Sequence, residues 1–239
     1  MGSDPYLAFL LRLEFPEAEM VDAKKASQIT SVSDLKGKNL GVTDIGSGTH
    51  TLTMALLGKS GISADQAKYV AVGAGNTFIA AIQQQRIDAG MTTEPTISRL
   101  VQSGDGKVLV DLRTPASTRA ALGGDYPFIG IFMRNDYVSG HKDVTQRLVN
   151  AYVKTLKWMH AHTAPQIADR MPADYYAGNK DLYVSALQNQ LQIFGSDCKM
   201  PIGGPETVLK IEQNYVSSFK GKTADLSKTY TNDFASKAV

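Results

Sequence analysis

Apolar positions along the 239-residue chain follow two different periods, and the change of period divides it. Over residues 39–112 short apolar runs alternate with helical stretches. Residues 39–43, 69–73, 88–92 and 107–112 read as strands, and residues 49–57, 77–85 and 95–102 as helices, the first stopped by Gly58. Such alternation packs helices against a largely parallel sheet, an α/β arrangement. Residues 127–133 form one more apolar strand, after which the pattern is helical only. Val144, Leu148, Tyr152, Leu156 and Met159 recur at the spacing of one amphipathic helix. Val184, Leu187, Leu191 and Phe194 mark a second, and Pro205, following Gly203 and Gly204, opens a third whose apolar face carries Val208, Ile211, Tyr215 and Phe219. Near the start, Tyr6–Leu13 is apolar at successive positions, as in a strand buried on both faces.

Composition narrows the function classes. The chain is 43% hydrophobic and 20% charged with a formal net charge of +2, ordinary for a globular protein. Its longest basic run is Lys24-Lys25, too little to neutralise a phosphate backbone, so no nucleic-acid partner is expected. The single cysteine, Cys198, excludes an internal disulfide and a cysteine-based metal cluster. Tyr6–Leu13 is far shorter than the ~20 residues of a membrane span and lacks the flanks of a secretory signal.

The chemistry concentrates in turns between strands and helices. Gly46, Ser47, Gly48, Thr49 and His50 follow a strand and open a helix. The first amides of a helix have no internal acceptor and lie at the positive end of its dipole, which makes such a turn suited to an anion. The competing reading is a plain helix cap by Ser47 or Thr49. A second turn offers Gly73, Gly75, Asn76 and Thr77, and a third Thr92, Thr93 and Glu94 before Pro95. All three belong at the C-terminal ends of strands, where open α/β sheets gather ligands. Two nucleotide-like patterns fail. Gly58-Lys59-Ser60 lacks the earlier glycine of a phosphate-binding loop, and Gly46-x-Gly48 lacks the third glycine of a dinucleotide fingerprint. No catalytic set, metal-ligand spacing or cofactor motif is present, so neither catalysis nor a cofactor is expected. His160 and His162, two apart on a helix, do not share a face.

Taken in order, Ser33-Asp34-Leu35-Lys36-Gly37-Lys38, the strand after it, the 46–50 turn, Gly73-Ala74-Gly75, Arg86-Ile87-Asp88-Ala89, Tyr126-Pro127, Leu156-Lys157-Trp158 and residues 225–232 resemble the nitrate/sulfonate/taurine solute-binding proteins of ABC importers. The resemblance implies a periplasmic-binding-protein-like (type II) fold, two α/β lobes that close on a small anionic or zwitterionic solute and hand it to an ABC permease outside the cytoplasm. It assigns residues 1–32 to a remnant of the first lobe and the hinge strand, 33–125 to the second α/β lobe, and 126–239 to the return strand and C-terminal helices that pack on the first lobe. It makes the 46–50 turn second-lobe binding surface, with Ser47, Thr49 and His50 facing the solute and Asn76 and Glu94 nearby, while Thr77 and Thr93 are candidates from the chemistry of their turns. The family often has two adjacent serines in that turn, and Gly48 replaces the second. Glu94 then disfavours a simple inorganic anion unless it pairs with an amine, as in taurine. Most of the first lobe has no counterpart here, and uncovered apolar surfaces then imply self-association, the alternative being that residues 6–23 and the terminal helices fold back to cover themselves. The same architecture also carries enzymes, thiamine-pyrimidine synthases and menaquinone-pathway enzymes among them, so an enzyme is the alternative reading. The synthases have a cysteine-rich motif that a chain with Cys198 alone lacks.

Overall fold

The computed structural model of the chain describes residues 6–176, 179–195 and 197–239. Its strands are β1 (Tyr6–Leu13), β2 (Glu17–Asp22), β3 (Asn39–Val42), β4 (Lys68–Ala71), β5 (Ala89–Thr93), β6 (Gly106–Asp111) and β7 (Ile129–Arg134). Its helices are α1 (Gly48–Lys59), α2 (Asn76–Gln83), α3 (Thr96–Ser103), α4 (Pro115–Leu122), α5 (Asn135–Gly140), α6 (Lys142–His160), α7 (Ala164–Ala168), α8 (Lys180–Gln190), α9 (Gly204–Tyr215) and α10 (Asp233–Ser236). They form two compact units. The first comprises Met1–Glu14, Pro127–Glu206 and Ala224–Val239, and the second Phe15–Tyr126 with Thr207–Thr223.

The second unit is the α/β body. Its five-stranded sheet runs β4-β3-β5-β2-β6. β3 pairs in parallel with β4 and β5, while β2 pairs antiparallel with both β5 and β6. Four strands therefore point one way and β2 alone is reversed. Every residue of β2 is buried, and its alternation divides the unit. Ala18 and Met20 join Phe78, Ile82, Ile97 and Leu100 on the α2/α3 face. Val21 lies with Leu40, Leu57 and Ala89 on the α1 face. Glu17 and Glu19 share that face with Val21, because side chains alternate along a strand.

Several expectations change here. The α/β unit takes in residues from Phe15 onward, and residues 17–22, part of the 1–32 segment expected as first-lobe remnant and hinge strand, form an interior strand of its sheet. α4 went unanticipated, although its signals are present: Thr114 caps it, Pro115 sits in its first turn and Gly123 closes it at φ +90°. Gly58 does not stop α1, which continues to Lys59. The ring of Tyr215 lies flush against Gly58 instead, where a Cβ would stand 2.2 Å from Cε1.

In the first unit β1 pairs antiparallel with β7. Phe9 and Leu10 are each 1% exposed, as a strand covered on both faces requires, and they pack with Val138, Val149, Val153, Leu156, Cys198 and Ala235. The buried line on α6 runs through Thr145, Val149, Val153 and Leu156. That is one residue round from the expected stripe, with Leu148, Tyr152 and Met159 partly buried at its flank. A helix stripe is broad enough to hold both lines. Leu187 of α8 packs on Ala164 and Ile167 of α7, as the apolar spacing of that segment requires.

Candidate functional site

Because β3, β4 and β5 are parallel, the turns at their C-terminal ends lie on one edge of the sheet. The turn after β3 is the most elaborate. Ser47, extended at φ −73° and ψ 169°, caps α1 by accepting from the His50 amide. Three hydroxyls close a triangle: Thr43 Oγ1 donates to Ser47 Oγ at 3.0 Å, and Thr49 Oγ1 lies 2.8 Å from both Thr43 Oγ1 and Ser47 Oγ. Ser47 Oγ also donates to the Asp44 carbonyl, and the Thr43 amide donates to Thr49 Oγ1. Thr49 is 3% exposed, so its hydroxyl holds the turn together and does not face outward. Gly46 and Gly48 are exposed, and helix geometry leaves the amides of Gly48 and Thr49 without an intrahelical acceptor. With the hydroxyls spent on the shape of the turn, the donors left over are these backbone N–H groups.

His50 also departs from the outward role that the resemblance implies. Its Nδ1 accepts from the Gly46 amide at 3.0 Å, and its ring meets Tyr69 of β4 edge-on, with centroids 4.5 Å apart. His50 Nε2 and the Tyr69 hydroxyl are both buried without a hydrogen-bond partner. Burial lowers the His50 pKa and raises that of Tyr69 to about 12, helped by Glu19 and Asp65.

The other two turns are simpler. Gly73 (φ +71°) and Gly75 (φ +64°) shape the second, and the Gly75 amide donates to Thr96 Oγ1 at 2.9 Å, tying the start of α2 to that of α3. Asn76 and Thr77 are exposed, and Thr77 Oγ1 donates to the Ala74 carbonyl. In the third, Thr93 ends β5 opposite Glu17, and Glu94 precedes a cis proline, Pro95. The Glu94 side chain is 2% exposed and accepts from Arg113 Nη1 at 3.0 Å and from the Ser98 amide and hydroxyl. Glu94 is thus a strut with its cation supplied from within, which removes the expected objection to an inorganic anion.

Pattern reading missed Arg113, which follows β6 on the same edge because β6 runs the same way as β5. It pairs bidentately with Asp111, through Nε at 2.9 Å and Nη2 at 2.8 Å, as well as with Glu94. Burial opposes ionisation of Asp111, but Arg113 more than offsets it and holds the carboxyl below its ordinary range. Also missed were Glu17 and Glu19, whose pKa values burial pushes up to about 8. Thr53 Oγ1 of α1 donates to Glu19 Oε2 at 3.1 Å, while Glu19 Oε1 and Glu17 Oε2 have no partner. Two acids interrupting an apolar strand were the available signal. Cys198 is buried, and burial raises its thiol to about 11, which makes it a poor nucleophile. Among the described residues no three His, Cys, Asp or Glu side chains are placed to hold a metal, and no helix is long and apolar enough to cross a membrane.

Residues 16–166, well over half of the chain, match the family described as NMT1/THI5 like. The chain belongs to the NMT1/THI5-like family. A protein of solved structure from Bordetella bronchiseptica RB50 is 31% identical at a TM-score of 0.88, covering 97% of this chain and 73% of its own. The putative periplasmic sulfonate-binding protein SsuA of Methylobacillus flagellatus KT superimposes at 0.67 with 18% identity, over 98% of this chain and 68% of that one. The periplasmic nitrate-binding protein NrtA of Synechocystis PCC 6803 gives 0.72 with 11% identity, over 95% and 65%. No curated protein sequence matches the chain. This NMT1/THI5-like protein therefore has the periplasmic-binding-protein fold expected of it, with the 46–50 turn, the 73–77 turn and the 93–95 turn on one sheet edge.

Proposed function

We propose that this protein is the solute-binding component of an ABC importer, holding the anionic group of a small sulfonate-, taurine- or nitrate-like solute at the 46–50 turn. It works in the periplasm or its equivalent and delivers the solute to a permease. The observation that carries this reading is the turn at the start of α1, with Gly46 and Gly48 exposed and its shape fixed by the Thr43–Ser47–Thr49 hydroxyl triangle, where helix geometry leaves the Gly48 and Thr49 amides without an intrahelical acceptor. A rigid donor pair at the positive end of a helix recognises an oxyanion without needing a cation. Family membership and the sulfonate- and nitrate-binding names of similar folds support the same reading. Binding is favoured over catalysis because the hydroxyls of the turn are committed to one another and His50 Nδ1 to the Gly46 amide.

Calorimetry with taurine, short alkanesulfonates and nitrate tests this. Gly48→Pro deletes one amide hydrogen where the backbone tolerates it, since proline fits the first helical position and Ser47 is already extended. Loss of one charge-assisted hydrogen bond, about 1.5–3 kcal/mol, is expected to weaken binding at least about tenfold, while Gly48→Ala stays close to the parent. Equal affinity in all three proteins removes the anion from this turn. Turnover of a bound solute into a new product overturns the binder reading.

A further inference from the structure

We infer that His50 is a positioning residue, a neutral imidazole that latches the 46–50 turn through Nδ1 and releases it when the ring is protonated. The inference rests on the reading of this turn as the solute site. The Gly46 amide can only donate, so Nδ1, 3.0 Å away, carries the lone pair, and the proton of the neutral ring resides on Nε2. Nε2 is buried with no hydrogen-bond acceptor and the ring abuts Tyr69, so the imidazole does not reach outward to a solute. The other ties of the turn run through Thr43, Asp44, Ser47 and Thr49, and the latch is what holds the Gly46 amide to α1. Gly46 sits at φ +85°, Ser47 N donates to Asp44 O at 3.2 Å, and Gly46 and Gly48 are exposed. Protonation places a hydrogen on Nδ1 facing the Gly46 N–H, which turns an attraction into a donor–donor clash.

The groups around the ring do not supply a counter-charge that would hold it protonated. Tyr69 is the side chain in contact, and its hydroxyl stays neutral to about pH 12. Glu19 of β2, which acts on Tyr69, is itself neutral through the acidic range, with burial pushing it up to about 8. Asp65, the other acid acting on Tyr69, lies in the short 3-10 turn before β4. β3 and β5 carry no titratable residue, and Arg119 of α4 is paired with Asp125. Asp34, in the 3-10 turn packed on α1, is held by Thr30 and Ser31. In the turn itself, Asp44 is engaged by the Ile45 amide. Burial adds to the same preference for the neutral ring.

The sign of the pH dependence separates a latch from a contact. A histidine touching the anion would tighten binding on gaining charge; a latch loosens it. Titrations of taurine or methanesulfonate from pH 7.5 to 5 are expected to show affinity falling at least about tenfold in the parent protein. His50→Asn keeps an acceptor near the Nδ1 position without titrating, and is expected to bind almost as well at pH 7.5 with a flat profile. His50→Phe keeps the ring against Tyr69 and is expected to bind weakly at every pH. Tightening on acidification, or an unchanged pH slope in His50→Asn, overturns the latch. Nitrogen-resolved NMR of the solute-free protein reads the latch independently. A slowly exchanging Gly46 amide that is lost together with the Nε2–H tautomer supports it, and a Gly46 signal indifferent to His50 protonation refutes it. If NMR shows the latch while no solute binds, the failure lies with the functional reading alone.

Discussion

At the scale of single residues, the side chains that looked most like ligand contacts are those that build the turn. Ser47 and Thr49 have short hydroxyls that reach one another and Thr43, and helix capping satisfies them before any solute arrives. Glu94 shows the same economy: its carboxylate is buried and answered by Arg113 and Ser98. Removing the cation strands that charge. Arg113→Met is expected to destabilise the protein by about 3 kcal/mol, read as a lower urea midpoint, whereas the double variant with Glu94→Gln recovers part of the loss. Additive losses would show that the pair does not act as a unit.

Elements are set by contacts between them as much as by their own patterns. β3 and β5 meet at Gly41 and Gly90, where a Cβ on Gly90 would stand 2.4 Å from the Gly41 carbonyl oxygen. The obstacle is backbone, so no side chain can move aside. Gly90→Ala is expected to cost about 2–3 kcal/mol and to spread β3 from β5, lowering the midpoint of chemical denaturation. A near-parent midpoint would mean that the two strands already sit further apart. Asp88, at the entry to β5, ties that strand to its neighbours by accepting from Lys25 and from the Asn39 amide at 2.7 Å. Burial opposes its charge, yet Lys25 and Asn39 hold it below the usual carboxylate range, which accounts for an acid at this point of the sequence.

For the whole molecule, the two buried acids of β2 set the alkaline side of the stability curve. Glu17 and Glu19 have pKa values near 8 in the fold against 4.5 in the open chain, so between those values the folded state binds more protons. Stability therefore falls as pH rises from about 4.5 through 8, by up to about 3 kcal/mol per group at pH 7. Asp88 and Asp111, held below 3.8, give the opposite slope in acid, where their contribution disappears as pH falls. Melting temperature is expected to peak near pH 5. Glu19→Gln and Glu17→Gln are each expected to flatten the decline toward pH 8, as calorimetric scans would show, and a curve rising from pH 5 to 8 would contradict the burial of these groups as neutral acids.

The alternation of strand and helix over residues 39–112 needed only local period and turn residues, and so the parallel strands, their helices and the three polar turns on one edge were legible without coordinates. The buried line of α6 was legible to within one residue for the same reason, since helical spacing alone fixes a face. The place of β2 between β5 and β6 was not, because two glutamates break its apolar run and those partners lie far along the chain. Whether the hydroxyls of Ser47 and Thr49 face out or in, which nitrogen of His50 is engaged, and which cation answers Glu94 were decided by tertiary structure. Each depends on a contact with a strand or turn that no local pattern specifies: Thr43 at the end of β3, Tyr69 on β4, and Arg113 beyond β6.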